Sequence, residues 1–452
     1  MEGESLKARG GSVTGALARY IVGYRGEGID PRALVVAKQC ILDWFAVTLA
    51  GFEEPVARAV RDEARRWLQG PCTIVGSQDR IGPEAAALSN GTTSHALDYD
   101  DVHRNVGHPT VAILPAVLAV AEERKSTGAE LLRALVAGAE TAAIVGSWAA
   151  PSHYARGFHT TATIGSFGAA AAAGLLLGLN DRQMTMALGL AGTQAAGLKS
   201  MFGTMAKPFH AGKAASNGVL AAQLALKGVT AHPDVIGVEQ GFLRTQSDGA
   251  VPVAFEAPRR GSEIVNTLFK YHAACYLTHS AIEAVRRIRE RGIGPKTIRS
   301  VQLHVPKTNL AVCNIPSPQT GLETKFSLRH MVACAALGRD TAAIGTYSDA
   351  NAIEPELVAL RERVVVHGDH RDGTGARVVV AHAEGSAEME FDVGTPDTDL
   401  DRQGRRLRQK FESLAAPALR DAEAARALAD GIEQFERQDD VSAMLARAAI
   451  PA

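Results

Sequence analysis

The sequence predicts a mainly α chain: a large all-helical unit, a smaller α+β unit after it, and a closing helical stretch free to rejoin the first. Three observations predict this. Hydrophobic residues make up 46% of the 452 but aromatics only 5%, so the apolar weight rests on Ala, Val, Leu and Ile, with 44 Gly besides. Close helix packing suits that mixture better than a β-sandwich does. Between residues 15 and 265 the pattern reads as successive helices, until a Gly-, Pro- and charge-rich lapse over 247–263. Beyond the lapse, residues 298–305 alternate, with Val301, Leu303 and Val305 on one face and Ser300, Gln302 and His304 on the other, the mark of a half-buried strand. The expected division is therefore 1–265, 266–396 and 397–452.

Each element has its own signal. Leu131, Leu132, Leu135 and Val136 follow a Thr127/Glu130 capping box and make an amphipathic helix with a legible start. Further apolar blocks lie at 110–120, 162–179, 184–198 and 214–226, rich in Ala and Gly that let helix axes approach closely. The stretch 160–180 has no ionisable side chain and is long enough to span a bilayer. Its Ala, Gly, Ser and Thr gain little on transfer, and Asn180 with Gln183 starts a new helix, so a buried helix is expected. In the second unit, residues 280–291 place Ile282, Val285 and Ile288 inward and stop at Gly292. Strands are expected at 363–367, 377–383 and 387–393, and the charge-rich run 399–409 begins the last helical stretch.

Composition narrows the function classes. Lys plus Arg total 48 and Asp plus Glu 49, so no bulk field favours nucleic acid or an anionic membrane, and a small-molecule partner is the default. Cys40, Cys72, Cys275, Cys313 and Cys334 form no C-x-x-C pair, which speaks against a disulfide framework, a zinc ribbon or an iron–sulfur cluster and fits a reducing cytoplasm. The first eleven residues are polar, with no secretory leader visible, so the chain is expected to begin there.

Four segments carry candidate chemistry. Residues 94–110, SHALDYDDVHRNVGHPT, crowd His95, Asp98, Asp100, Asp101, His103 and His108 together. Carboxylates beside imidazoles suit general acid–base work; the same types ligate metals, and His95 and Asp98 are spaced to share a helix face. Capping of nearby helices, with an exposed His103, is the plainer alternative. In ARGFHTTATIGSFG, His159 precedes an uncharged helical run whose positive end lowers an imidazole pKa and draws anions. In GLKSMFGTMAKPFHAGKAASNG, Lys199, Lys207, His210 and Lys213 stand among apolar residues without local carboxylates, which calls for an anion from elsewhere. Pro208 is expected to hold Lys207 away from helical geometry. In YHAACYLTHSAIEAV, His279 repeats the helix-start arrangement in the second unit, while His367 and His370 read as exposed and uninvolved.

At these residues the chain resembles the MmgE/PrpD family, which includes 2-methylcitrate dehydratase, cis-aconitate decarboxylase and iminodisuccinate epimerase. The carriers, in order along nearly the whole chain, are HALDYDD with GHPT, GFHTTATIG, FGTMAKPFHAGKAASNG, THSAIEA and KFSLRH. The resemblance implies a large helical domain built from both chain ends, an inserted α+β lid, a homodimer, and no metal or organic cofactor. It also implies active-site roles for Asp98, His108, His159, Lys207 and His279. Two positions depart from the family pattern: Val102 stands where the decarboxylase pattern has Thr, and His330 stands where several members carry a lid Tyr.

The reaction expected from these residue types is proton abstraction next to a carboxylate of a small di- or tricarboxylic acid. His108 or His159 would be the base, Lys207 and His279 would hold the resulting anion, Asp98 would orient an imidazole, and His330, His210 and Lys199 complete the substrate contacts. The first expectation is a lyase of the 2-methylcitrate dehydratase type. The alternatives are a cis-aconitate decarboxylase-like enzyme, an epimerase of a similar acid, a metal-dependent hydrolase using the 95–108 cluster, and a noncatalytic carboxylate-binding protein.

Overall fold

The structure, a computed structural model, describes residues 12–451 apart from 27, 68, 250 and 253. The expectation for the polar first eleven residues lies outside the described residues. The chain divides into two compact units, one running through Thr267 and resuming at Leu400, the other spanning Leu268–Asp399. The sequence places those boundaries at 265 and 396.

The first unit is built from helices whose starts are written in the sequence. Thr127 and Glu130 close a capping box on Gly128–Ala149, and Asn180 with Gln183 closes another on Asp181–Gly192. The uncharged stretch forms the helix Thr160–Leu176, buried from Thr161 to Leu175. The helix Pro31–Ala50 is long and apolar enough to cross a membrane, and 78% of its apolar window is buried in the protein. One element departs from the all-helical expectation: Gln69–Thr73 and Arg80–Ile81 pair as a two-stranded antiparallel ribbon. Five residues containing Gly70 and Pro71 show no alternation; pairing there is fixed instead by Glu122, which accepts from the Thr73 backbone and hydroxyl, each at 2.6 Å.

Glycine and alanine let the central helices nearly touch. A Cβ on Gly91, in Pro83–His95, would lie 2.7 Å from the Gly212 Cα in Ala206–Leu226. Neither backbone can give way without moving its helix. Gly91→Ala is therefore expected to destabilise the protein by about 1–3 kcal/mol, the usual cost of overpacking. Helix propensity alone would stabilise by about 1 kcal/mol. The urea midpoint decides between the two signs.

The second unit holds a four-stranded sheet in the order Val364–His370, Ile298–Pro306, Gly375–His382, Gly385–Asp392, with the first pair parallel and the others antiparallel. Val301, Leu303 and Val305 are buried as the alternation requires. His279–Glu290 packs on the last two strands and against Leu328–Leu337. His367 and His370 are half-buried rather than exposed: His367 stacks on His304 at 4.7 Å and bonds Gln302, because facing strands bring those side chains together.

Candidate active site

The cluster begins in the loop between Pro83–His95 and Pro109–Arg124. Its backbone is tied at several points. Lys410, from the helix Leu400–Leu419, donates to the Tyr99 carbonyl at 2.7 Å and to Asp43 Oδ1 at 2.6 Å. The Thr110 hydroxyl donates to Asp101, and the Thr161 hydroxyl accepts from the His108 backbone N–H. Between these ties Asp98 adopts a left-handed backbone with φ 49°, past the end of the helix. His95 and Asp98 therefore share no helix face, contrary to what their spacing suggests.

Asp100, 1% exposed, lies between two imidazoles. His95 Nδ1 is 2.8 Å from its Oδ1, and His108 Nδ1 is 2.8 Å from its Oδ2. The His108 Nδ1 hydrogen bond runs to the Asp101 carbonyl, 3.0 Å away, and Asp100 Oδ2 has no hydrogen-bond partner of its own. Burial pushes the Asp100 carboxyl up, but the two imidazoles overcome it and hold the group well below the usual range. Burial lowers His95 to about 4 against the pull of Asp100. With the neutral ring's proton on Nδ1, His95 Nε2 is a buried lone pair without a hydrogen bond. Asp101 is raised to about 8 by burial, so it is mostly protonated near neutrality. His103 is buried too and lowered to about 4 for the same reason.

Two further elements bring cationic and imidazole groups to the same place. His159 is the residue before the helix Thr160–Leu176, its backbone held by the Gly197 carbonyl at 3.0 Å. Its ring lies edge-on to Phe202 and stacks 6.2 Å from His95, and its Nδ1 is 3.0 Å from His210 Nδ1. Burial first, then His95, Lys207, His108 and His210, drive the His159 imidazole far below its ordinary pKa. Lys207 sits in the first turn of Ala206–Leu226, not outside helical geometry as Pro208 suggests. Proline is tolerated there because the first-turn N–H groups have no partner in the helix anyway. Nor is the Lys207 ammonium without a carboxylate: Asp98 Oδ2 lies 2.8 Å away, while Asp98 Oδ1 faces His108 Nε2 at 3.4 Å.

These groups border a cavity of about 550 Å³ in the first unit, lined by His108, His159, Lys207, Phe202, Tyr154 and Arg104 among others. That is within the range of small-ligand sites. His95, Asp98, Asp100 and His108 also bring donor atoms within 4.8 Å of one another, close enough for a cation. A metal would have to displace the Lys207 ammonium from Asp98 and the His95 N–H from Asp100.

The remaining expected residues do not line this cavity. His210 stands behind His159 and is not in the cavity wall; Lys199 donates to the Tyr154 carbonyl at 3.1 Å and lies over that ring at 3.6 Å. Lys213 is exposed. In the second unit His279 is 1% exposed, its Nε2 is 3.2 Å from the Ala274 carbonyl, and its ring meets His272 edge-on at 4.9 Å. Burial and His272 hold it well below its ordinary pKa, which works against the positive charge expected at this position. His330 is fully buried with neither ring nitrogen hydrogen-bonded, and burial lowers it to about 4.

Sequence reasoning missed Arg104 and Tyr154. Arg104 lies in a turn closed by the His103 N–H to the Gly107 carbonyl at 2.7 Å, a five-residue return that its HRNVG sequence could have signalled.

Two sequence profiles match the chain: MmgE/PrpD N-terminal domain over residues 15–253 and MmgE/PrpD C-terminal domain over 272–434. Cis-aconitate decarboxylase of Homo sapiens is 27% identical over 78% of this chain and 76% of its own length. A cis-aconitate decarboxylase-like protein, OryM, of Aspergillus oryzae is 28% identical over 96% and 97%, and cis-aconitate decarboxylase of Aspergillus terreus is 27% identical over 96% and 95%. With both profiles matched in order and the first covering more than half the sequence, the chain belongs to the MmgE/PrpD family.

Proposed function

We propose that this chain is a lyase acting on a small acid with two or three carboxylates, with decarboxylation of a cis-aconitate-like acid as its reaction. The observation that carries the reading is the first-unit cavity, which gathers the Lys207 ammonium, the Arg104 guanidinium and the imidazoles of His103, His108, His153 and His159. In such a decarboxylation the bond to one carboxylate breaks and CO₂ leaves. The electron pair forms a new C=C, and the old double bond's pair moves to the carbon beside another carboxylate, where a proton is added. The transient species carries extra charge on that carboxylate. Lys207 and the positive ends of Thr160–Leu176 and Ala206–Leu226 favour it, and electrostatic help of this kind is usually the largest catalytic contribution. His159 supplies the proton, and Asp98 and Asp100 hold His108 between them.

A second reading is dehydration of a hydroxylated acid of the same class. It is favoured by Val102, an apolar residue on the cavity wall where the decarboxylase pattern has Thr. The relatives named above supply no support for an epimerase.

Proton NMR of the purified protein with cis-aconitate, citrate and 2-methylcitrate separates these outcomes. New methylene signals with release of CO₂ from cis-aconitate support decarboxylation, and vinylic signals from a hydroxy acid support dehydration. No turnover of any acid removes the reading. Lys207→Ala is expected to raise KM roughly tenfold or more and lower kcat as well, because a charge-assisted contact worth about 1.5–3 kcal/mol is lost. Steady-state kinetics beside an unchanged circular dichroism spectrum checks this.

A further inference from the structure

We propose that His210 is a positioning residue that exchanges a proton with His159, so that His159 can act as acid or base on the cavity side while remaining uncharged. The two Nδ1 atoms are 3.0 Å apart, a hydrogen bond that a neutral pair can form only by sharing one proton. When His159 holds it, His159 Nε2 is a lone pair and a base. When His210 holds it, His159 carries its proton on Nε2 and is an acid. No hydrogen bond within the protein engages either Nε2 among the described residues. His159 lines the cavity; His210 does not, and it is half-buried while His159 is 2% exposed.

The surroundings favour a relay. His159 lies against His95 and Phe202 and feels the charges of Lys207 and His108, and among the described residues no carboxylate is in direct contact with it. Before an acid binds, an imidazolium there has no adjacent carboxylate to balance it. Passing the proton on avoids that charge. For protonation of substrate carbon, the His159 Nε2–H goes to carbon, the His210 Nδ1–H moves to His159 Nδ1, and His210 takes a proton from solvent at its own Nε2; after product leaves, water in the emptied cavity protonates His159 Nε2, the shared proton returns to His210 Nδ1 and His210 Nε2 releases its proton, which restores the pair. Proton abstraction runs the same steps backwards. In each direction one proton enters, one leaves, and neither ring keeps a charge.

The reacting carbon is that of the lyase reading, but the histidine pair can be tested without substrate. In full-length protein labelled with ¹⁵N-histidine, the His159 ring is expected to stay neutral from pH 5 to 9. Its Nδ1 shift should lie between the protonated and bare values, and His210→Ala should move it to one extreme. On a substrate that wild type turns over, His210→Ala is expected to lower kcat about 100-fold, within the range for acid–base groups. Added imidazole should restore at least tenfold of that, while His210→Asn, which keeps a hydrogen bond but cannot relay, should stay slow. An unchanged His159 spectrum, or a rate loss that imidazole does not repair, overturns the proposal. Wild type without turnover but with the tautomer shift removes the lyase reading and leaves the relay standing.

Discussion

Asp100→Asn is expected to lower kcat at least about 100-fold while leaving the protein folded. One carboxylate oxygen takes the His95 N–H, and the other lies 2.8 Å from His108 Nδ1, whose hydrogen bond runs to the Asp101 carbonyl. An amide offers one oxygen and, on the other side, an NH₂ that meets an N–H head-on. One ring must then turn over or move its proton to the other nitrogen. If His108 yields, its Nε2 no longer faces Asp98 as it does now; if His95 yields, it tilts against the His159 ring that stacks on it. Replacing the orienting carboxylate of a serine-protease triad by its amide costs about 10⁴ in kcat through the same fault, a wrong tautomer. The stability cost is smaller, about 1–3 kcal/mol for an imperfectly satisfied buried group. Kinetics and a melting curve on one preparation test both halves. A rate within threefold of wild type would show that Asp100 does not set these rings.

The sign of its pH dependence follows from the direction of its shift. The folded pKa of Asp100 lies well below the unfolded one, so its stabilising contribution is complete above the ordinary aspartate value near 4 and is lost as pH falls through the folded value. Asp100→Asn should therefore narrow its stability deficit towards wild type in strong acid.

The largest loss of stability is expected from Lys410→Met. Lys410 is 3% and Asp43 2% exposed, and their ion pair also supports the Tyr99 carbonyl. Removing one partner of a buried pair typically costs about 3–5 kcal/mol, because a buried charge loses its counterion. Pairing the change with Asp43→Asn removes that charge as well and should recover part of the loss. A double-mutant cycle in urea midpoints measures the coupling. Equal losses in the single and double variants would show that the charge itself is not what is being held. Activity should fall with Lys410→Met too, since Tyr99 lies between Asp98 and Asp100.

Much of this organisation is readable in the residue order, and for physical reasons. A capping box is local, so Thr127/Glu130 and Asn180/Gln183 mark their helices without help from the rest of the fold. Period-two alternation marks the strand Ile298–Pro306 because one face is buried and the other is not. The polar density of residues 94–110 likewise announces chemistry. Partnerships across the chain are another matter. Nothing near Lys207 points to Asp98, and nothing near His159 points to His210, because those pairs are made by helices crossing at small residues. The burial that strips His279 and His330 of charge is likewise a property of packing rather than of their neighbours in sequence.

Residues 43 and 410 stand 367 positions apart. A ribosome therefore releases the whole second unit before the ammonium that steadies Tyr99 exists at all. Until the helix Leu400–Leu419 docks, Asp43 and the Tyr99 carbonyl lack their ammonium, so this brace on the loop is added only after the second unit has been made.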